Sequence, residues 1–250
     1  MKLAILSDIH GNLDSLEAVL AHARREGYDH LVCLGDVVGY GAEPQECIDR
    51  LREEVWNHEK AGEMVVKGNH DDAASGGDDS YFNREAQRAV RWTHEQLSPA
   101  GVDWLAALPL EKRVGDDVYL VHSSPKDPSE WNYIISIGDA LEAFAKFSER
   151  VCFVGHSHVP FHVSIDPKSA EVRVEPSETV QLREGFRYLS NVGSVGQPRD
   201  GDPRAAYVML DLEEETLERF RVDYDHRRAA EKIRAAGLPE FLADRLARGR

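Results

Sequence analysis

Cysteine is scarce. The three present, Cys33, Cys47 and Cys152, form no C-x-x-C pair. Two lie inside apolar strand candidates, where free thiols pack as small hydrophobes, and this usage fits a reducing compartment. Long apolar runs are also missing: no stretch approaches the roughly 18 to 20 residues of a membrane span. The first apolar run is broken by Asp8 and His10, too early for a secretory signal. A soluble, cytoplasmic protein without a membrane partner is therefore expected. Excess positive charge is lacking too, with 30 Lys and Arg against 45 Asp and Glu and a formal net charge of -15. That disfavours nucleic acid and anionic membranes as partners. Anionic substrates stay open, because a pair of divalent ions would add about four positive charges at one point. No internal repeat, low-complexity linker or Walker-type phosphate loop occurs.

What is present centres on LVCLGDVVGYG, residues 31–41. Leu31 to Leu34 read as a fully buried strand; the chain turns at Gly35 and presents the Asp36 carboxylate at the strand end. Four other apolar runs also end in ligand-type residues. LAIL precedes Ser7-Asp8-Ile9-His10, MVV precedes Lys67-Gly68-Asn69-His70-Asp71, VYLV precedes His122, and VCFV precedes Gly155-His156-Ser157-His158. In open α/β sheets, sites lie beyond the carboxyl ends of strands, so the recurrence predicts one metal site assembled from five loops. Imidazoles with carboxylates suit Mn²⁺ first, with Fe²⁺ or Zn²⁺ as alternatives, whereas Mg²⁺ or Ca²⁺ would call for an all-oxygen shell.

In chain order, the pattern predicts a strand over 2–6, a helix over 12–25 stopped by Gly27, a strand over 31–34, a helix opened by Glu43-Pro44, and a strand over 64–66. This alternation implies a mostly parallel sheet. Next comes the Gly- and Asp-rich loop DDAASGGDDS, then helices over about 81–96 and 98–107. Residues 72–110 are thus expected as a helical insertion that forms a lid or covers the sheet edge. A hairpin over 112–121 follows, then a helix over about 137–147 and strands over 151–154, 161–165, 171–174, 179–182, 205–211 and 217–222. Residues 226–250 read as a helical tail, either docked with a solvated basic face or forming a dimer contact, so a monomer or a homodimer is expected. One domain over 1–250, with two sheets packed face to face and helices outside, accommodates both halves.

The order D-x-H, G-D, G-N-H-D, H, G-H-x-H resembles the calcineurin-like metallophosphoesterases, specifically the compact bacterial and archaeal branch of phosphodiesterases and diadenosine-tetraphosphatase-related proteins. The resemblance implies a four-layer α/β/β/α sandwich of two mixed sheets and a dinuclear centre. One ion would be held by Asp8, His10, Asp36 and His158, the other by Asp36, Asn69, His122 and His156, with Asp36 bridging. It also implies hydrolysis of phosphodiester or nucleotide-type phosphoanhydride bonds by a metal-bridging hydroxide. His70 would act as general acid on the departing oxygen, or else as a structural histidine. Asp71 would fix His70 or a ligand from behind. Alternatives are a phosphomonoesterase or protein phosphatase, and a catalytically silent metal-binding scaffold.

The protein serine/threonine phosphatase branch reads G-D-x-x-D-R-G in its second block. Here Gly39, Tyr40 and Gly41 stand where its later Asp and Arg would be, which weakens the phosphoprotein reading. SNVGSVGQPRDGDPRAAY, residues 190–207, resembles a glycine-rich loop of the compact branch. Gly193 and Gly196 would let backbone N–H groups approach an anion, and Arg199 or Arg204 would clamp phosphate, unless they pair with Asp200 and Asp202. Tyr40, Trp131 and Tyr133 either stack on a nucleobase or pack internally. His22, His30, His58, His94, His162 and His226 fall outside any motif and read as surface residues.

Overall fold

The computed structural model describes residues 1–56, 64–166 and 168–250. His58 lies outside the described residues. Strand β1 (Lys2–Leu6), helix α1 (Leu13–Glu26), strand β2 (His30–Cys33) and helix α2 (Pro44–Trp56) open the chain. Three helices follow: α3 (Asn69–Ala74), α4 (Arg84–Gln96) and α5 (Pro99–Ala107). Then come β3 (Glu111–Val114), β4 (Val118–Val121), α6 (Ile137–Phe144), β5 (Val151–Val154), β6 (Phe161–Ile165), β7 (Val172–Glu175), β8 (Thr179–Gln181), β9 (Arg187–Asn191), β10 (Ala205–Asp211) and β11 (Thr216–Val222). Helices α7 (His226–Ala235) and α8 (Glu240–Leu246) end it.

The strands form two mixed sheets, ordered β2-β1-β10-β11-β8 and β3-β4-β5-β9-β6-β7. Alternation along each strand builds the layers. Leu3, Ile5, Val32, Leu34, Val208 and Leu210 of one sheet meet Val118, Leu120, Val151 and Phe153 of the other. The opposite faces of β1 and β2, including Ala4, Leu6, Leu31 and Cys33, pack under α1 and α2. The outer face of the second sheet, with Tyr119, Val121, Cys152 and Val154, packs under α6. The result is the expected α/β/β/α sandwich. Strands buried on both faces explain why these segments read as unbroken apolar runs.

Several expectations are corrected. Residues 64–66 make a single parallel bridge, Cys33 to Val65, rather than a regular strand. Helix α3 runs from Asn69 into the stretch expected as a loop over 71–80, and α4 begins three residues later than expected because the Asn83 side chain accepts from Ala86 N–H and caps it. The tail is two helices rather than one, broken at Gly237 and Pro239, with Ile233, Leu242 and Leu246 buried against Tyr40, Ala86 and Ala89. No helix of the described residues is long and apolar enough to cross a membrane.

Strand β9 was not anticipated, although it pairs in parallel with β5 and antiparallel with β6. Its sequence, RYLSN, ends in buried polar residues whose partners lie elsewhere in the chain. Asn191 donates to Gly155 O at 2.6 Å, and Ser190 Oγ sits 2.9 Å from His162 Nδ1. His162 is consequently not a surface residue; it is 1% exposed. Burial, with Arg219 nearby adding to it, pushes its pKa down from 6.5 to about 4. A proton therefore binds the unfolded chain first. Stability present above pH 6.5 should fall as pH drops through about 4. Between pH 7 and 5 the loss from this group is expected to be about 2 kcal/mol. Urea unfolding of wild type and His162→Gln at both pH values checks this: the variant should lose that much less on acidification, and equal losses would disprove it.

Candidate metal centre and its cleft

The residues after the strand ends converge where the two sheets meet. Loop is tied to loop by the backbone: Asp8 N–H donates to Gly35 O at 3.0 Å, His10 N–H to Asp36 O at 2.9 Å, and Gly155 N–H to His122 O at 2.8 Å. His156 N–H donates to Asp8 Oδ2 at 3.0 Å, joining the sheets at the site itself. Asp8, His10, Asp36, His156 and His158 all hold positive φ, between 51° and 64°. Non-glycine residues rarely adopt this region, and such strain concentrates where a site must be pre-shaped.

Asp8, His10, Asp36 and His158 form one group of candidate ligand atoms, and Asp36, His122 and His156 another, with Asp36 in both. Asn69 joins the second: its Oδ1 is 3.2 Å from His122 Nε2. All of these residues are buried. Backbone carbonyls orient three of the rings. His10 Nδ1 faces Val38 O at 3.2 Å, His122 Nδ1 faces Leu34 O at 2.9 Å, and His158 Nδ1 faces Gln197 O at 2.6 Å. A carbonyl can only accept, so each Nδ1 carries a proton and each Nε2 is the atom aimed inward. His10 Nε2 and His158 Nε2 then lie 3.1 Å apart, and His158 Nε2 lies 3.2 Å from Asp8 Oδ1. Asp8 Oδ1 and His156 Nε2 are buried without hydrogen-bond partners. Acceptors crowded on acceptors, with orphaned oxygen and nitrogen among them, fit cations.

Electrostatics agree. Burial pushes Asp8 and Asp36 up, but the surrounding imidazoles outweigh it and hold both far below the usual carboxylate range. Burial pulls His122 down, yet the Asp36 carboxylate, whose Oδ2 is 3.4 Å away, lifts it to about 9. A proton trapped there occupies the lone pair that a divalent ion would take. Burial depresses His156 to about 3 and His158 to about 4, with neighbouring cations adding to it.

His70 lies in the first turn of α3, and its backbone N–H donates to Asp36 Oδ1 at 2.8 Å. Its ring packs between Tyr40 (4.4 Å) and Phe82 (4.6 Å). Gly39 makes this possible: at φ +138 it takes a backbone conformation that other residues rarely adopt, and a Cβ there would stand 2.8 Å from the Nδ1 of both His10 and His70. His70 Nδ1 is buried without a partner, which leaves Nε2 for the cleft that the ring lines. Of the two expected roles for Asp71, fixing His70 or a ligand, its hydrogen bonds go to the loop of the candidate ligand Asp36 and not to the His70 ring. Its carboxylate accepts from Val38 N–H at 3.2 Å and Gly68 N–H at 3.1 Å, holding the loop of Asp36 against the start of α3. Burial and the Asp36 charge raise it to about 7.

The centre opens into a cavity of about 520 Å³. Tyr40, Trp131 and Tyr133 line it, Tyr133 stacked on His156 at 4.1 Å. Arg199 also lines it, with its guanidinium carbon 5.6 Å from the Tyr40 ring centroid. Two expected substrate contacts do not. Arg204 is paired with Asp202 at 2.6 Å and does not line the cavity. Gly193 is packed under Ala206, and its N–H already donates to Asn191 Oδ1 at 2.9 Å, so no anion can use it. Gly196 N–H is likewise spent on Asp8 O at 2.9 Å. The glycine-rich loop therefore supports Asp8 from beneath instead of cradling phosphate. The cleft residues that escaped sequence reasoning include Tyr81, Phe82, Glu130, Phe241 and Arg245. No motif marks them; Tyr81 and Phe82 sit in the polar connection, and Arg245 sits among the arginines of the tail.

A family model described as the calcineurin-like phosphoesterase superfamily domain matches residues 1–215. MJ0912, an uncharacterized protein of Methanocaldococcus jannaschii, is 37% identical over 252 residues, covering 99% of this chain and 98% of its own. A metallophosphoesterase from Sphaerobacter thermophilus superposes with a TM-score of 0.86 at 38% identity, with 100% of each chain covered. The hypothetical protein PH1004 of Pyrococcus horikoshii superposes at 0.77 with 20% identity over 100% and 98% of the two chains, a likeness of fold.

Proposed function

This chain belongs to the calcineurin-like phosphoesterase superfamily, and from that premise we propose that it hydrolyses phosphodiester or nucleotide-type phosphoanhydride bonds at a dinuclear metal centre. The observation that carries the reading is the pair of ligand groups sharing Asp36 at the floor of an open cleft. Asp8, His10, Asp36 and His158 would hold one divalent ion, and Asp36, Asn69, His122 and His156 the other. Their mixed carboxylate, imidazole and amide donors favour Mn²⁺, with Fe²⁺ or Zn²⁺ as substitutes. When bound, such ions lower the pKa of water and neutralise phosphoryl charge.

The chain's own residues do the rest. Asp36 ties the two halves of the centre together and accepts from His70 N–H, so the ring is placed relative to the ligands. His70 Nε2 holds a proton toward the departing oxygen and donates it, or a hydrogen bond, as the bond breaks. Arg199 supplies a fixed cation for a phosphoryl oxygen in place of the arginine found in the protein phosphatase branch. Tyr133, 51% exposed over the cleft, offers a flat face to a base or other planar leaving group. A small phosphorylated substrate, nucleotides included, fits a cavity of this size. A cytoplasmic location goes with this reading, since all three cysteines are buried and unpaired.

The test compares kcat/KM for bis(p-nitrophenyl) phosphate and p-nitrophenyl phosphate on one Mn²⁺-loaded preparation, each with a chelated control. Chelator-sensitive preference for the diester is the expected result. A preference for the monoester would replace the diesterase reading with a phosphatase. Two bound metals without turnover of either would point to the scaffold.

A further inference from the structure

The matched family domain ends at residue 215, and α7 and α8 lie beyond it. These helices nevertheless reach the site: Phe241 and Arg245 of α8 line the same cavity as Asp36, His70 and Arg199. Phe241 is 56% exposed at the rim, and the Arg245 guanidinium carbon lies 5.0 Å from its ring centroid.

The charges there are unusual for this protein. Its net charge is -15, and arginines near the cleft are mostly spent on acids. Arg204 is paired with Asp202, and Arg221 with Asp200, which removes both aspartates that stood as partners for Arg199. Among the described residues no side-chain carboxylate pairs with Arg199 or Arg245. Arg199 donates to Gln197 Oε1 at 3.0 Å, and its Nε is buried without a partner. Arg245 donates from Nε to an oxygen of Arg250, the last residue of the sequence, and its two Nη atoms meet no side-chain carboxylate among the described residues. Burial, then the proximity of Arg199, pushes Arg245 down to about 10, so the two cations repel one another across the cleft. Partly buried, mutually repelling guanidiniums are costly unless an anion joins them.

One phosphoryl group at the centre would have its charge met by bound ions, with Arg199 shared between it and whatever lies beyond it. Arg245, delivered from a separate element at the rim, has nothing left to meet on a monophosphate. We propose that Arg245, acting with Arg199, forms a second anion subsite that takes the phosphate next to the scissile one, so that the substrate class is a diphosphate or longer phosphoanhydride ester. This rests on the phosphoesterase reading and narrows it. The C-terminal helices then act as a specificity element: they present a cation at the rim of the cavity that holds the centre, and Phe241 packs against that guanidinium.

The experiment is a calorimetric titration with two probes that cannot be hydrolysed, methylenediphosphonate and methylphosphonate, at saturating free Mn²⁺. Wild type should prefer the diphosphonate by at least about tenfold, as expected for one added charged hydrogen-bonding partner. Arg245→Gln should cut that preference by about tenfold, and Arg245→Lys should restore part of it. The ratio of the two affinities is the readout, since a merely structural role would weaken both probes together. Equal weakening of both, or a diphosphonate preference unchanged in Arg245→Gln, would overturn the subsite. The parent reading fails separately, if wild type shows no chelator-sensitive hydrolysis of any phosphate ester.

Discussion

Asp36→Asn should lose at least about 10³-fold in kcat/KM on any ester the wild type hydrolyses, equivalent to roughly 4 kcal/mol of transition-state stabilisation. Its carboxylate is the one group common to both candidate ligand sets, with Oδ2 3.5 Å from His10 Nε2 and 3.4 Å from His122 Nε2. An amide keeps the shape and still accepts from His70 N–H, but it carries no charge to bridge two cations or to balance the imidazoles around it. Bound metal, measured by elemental analysis after dialysis, should fall from two ions to one or none per chain. Circular dichroism should show the fold retained. Two tightly bound ions in a folded Asp36→Asn protein would contradict the bridging role, and a twofold change in rate would do the same.

His70→Asn should separate metal binding from turnover. The ring is not in either ligand group, and it touches the site through its backbone N–H on Asp36 and through its packing against Tyr40 and Phe82. Metal content should stay at the wild-type level. The rate should fall by about 10² to 10⁴ on an ester with an alkyl leaving group, the range for a positioned acid. It should fall far less on a p-nitrophenyl ester, whose leaving group departs without help. That dependence on leaving group distinguishes proton donation from mere support of the site. Equal losses on both esters would assign His70 to structure, and no loss on the alkyl ester would remove it from the mechanism. Burial, partly offset by Asp36, and the surrounding cations hold its pKa well below the ordinary histidine value, so the free ring is neutral. A phosphate anion entering the cleft shifts the balance toward the protonated form.

The candidate ligands were legible for a local reason. A strand buried on both faces reads as an apolar run, and a polar residue directly after such a run stands at a sheet edge, as Asp8, Asp36, His122 and His156 do. Strand β9 was not legible by the same rule. Ser190 and Asn191 look like loop residues until His162 and the Gly155 carbonyl are placed beside them. His162 itself looked like a surface residue because its partner lies on that unseen strand. Asp71 is expected to fix His70 or a ligand; its partners are two backbone N–H groups, Val38 and Gly68, beside the Asp36 loop, and no residue code announces such partners.

Taken alone, the sequence determined the order of the ligand blocks, the sandwich class and the chemistry its donors favour, because each of these follows from side-chain type and spacing along one segment. Which arginine faces the cleft, which ring nitrogen carries a proton, and which helix closes the rim were decided only by the tertiary structure. Those properties belong to pairs: Arg204 is removed by Asp202, Arg199 is left unpaired because Arg221 takes Asp200, His158 is oriented by the Gln197 carbonyl, and Arg245 arrives from the far end of the chain. Charge and hydrogen bonding act through space over a few ångströms, and folding alone sets which distant residues come that close.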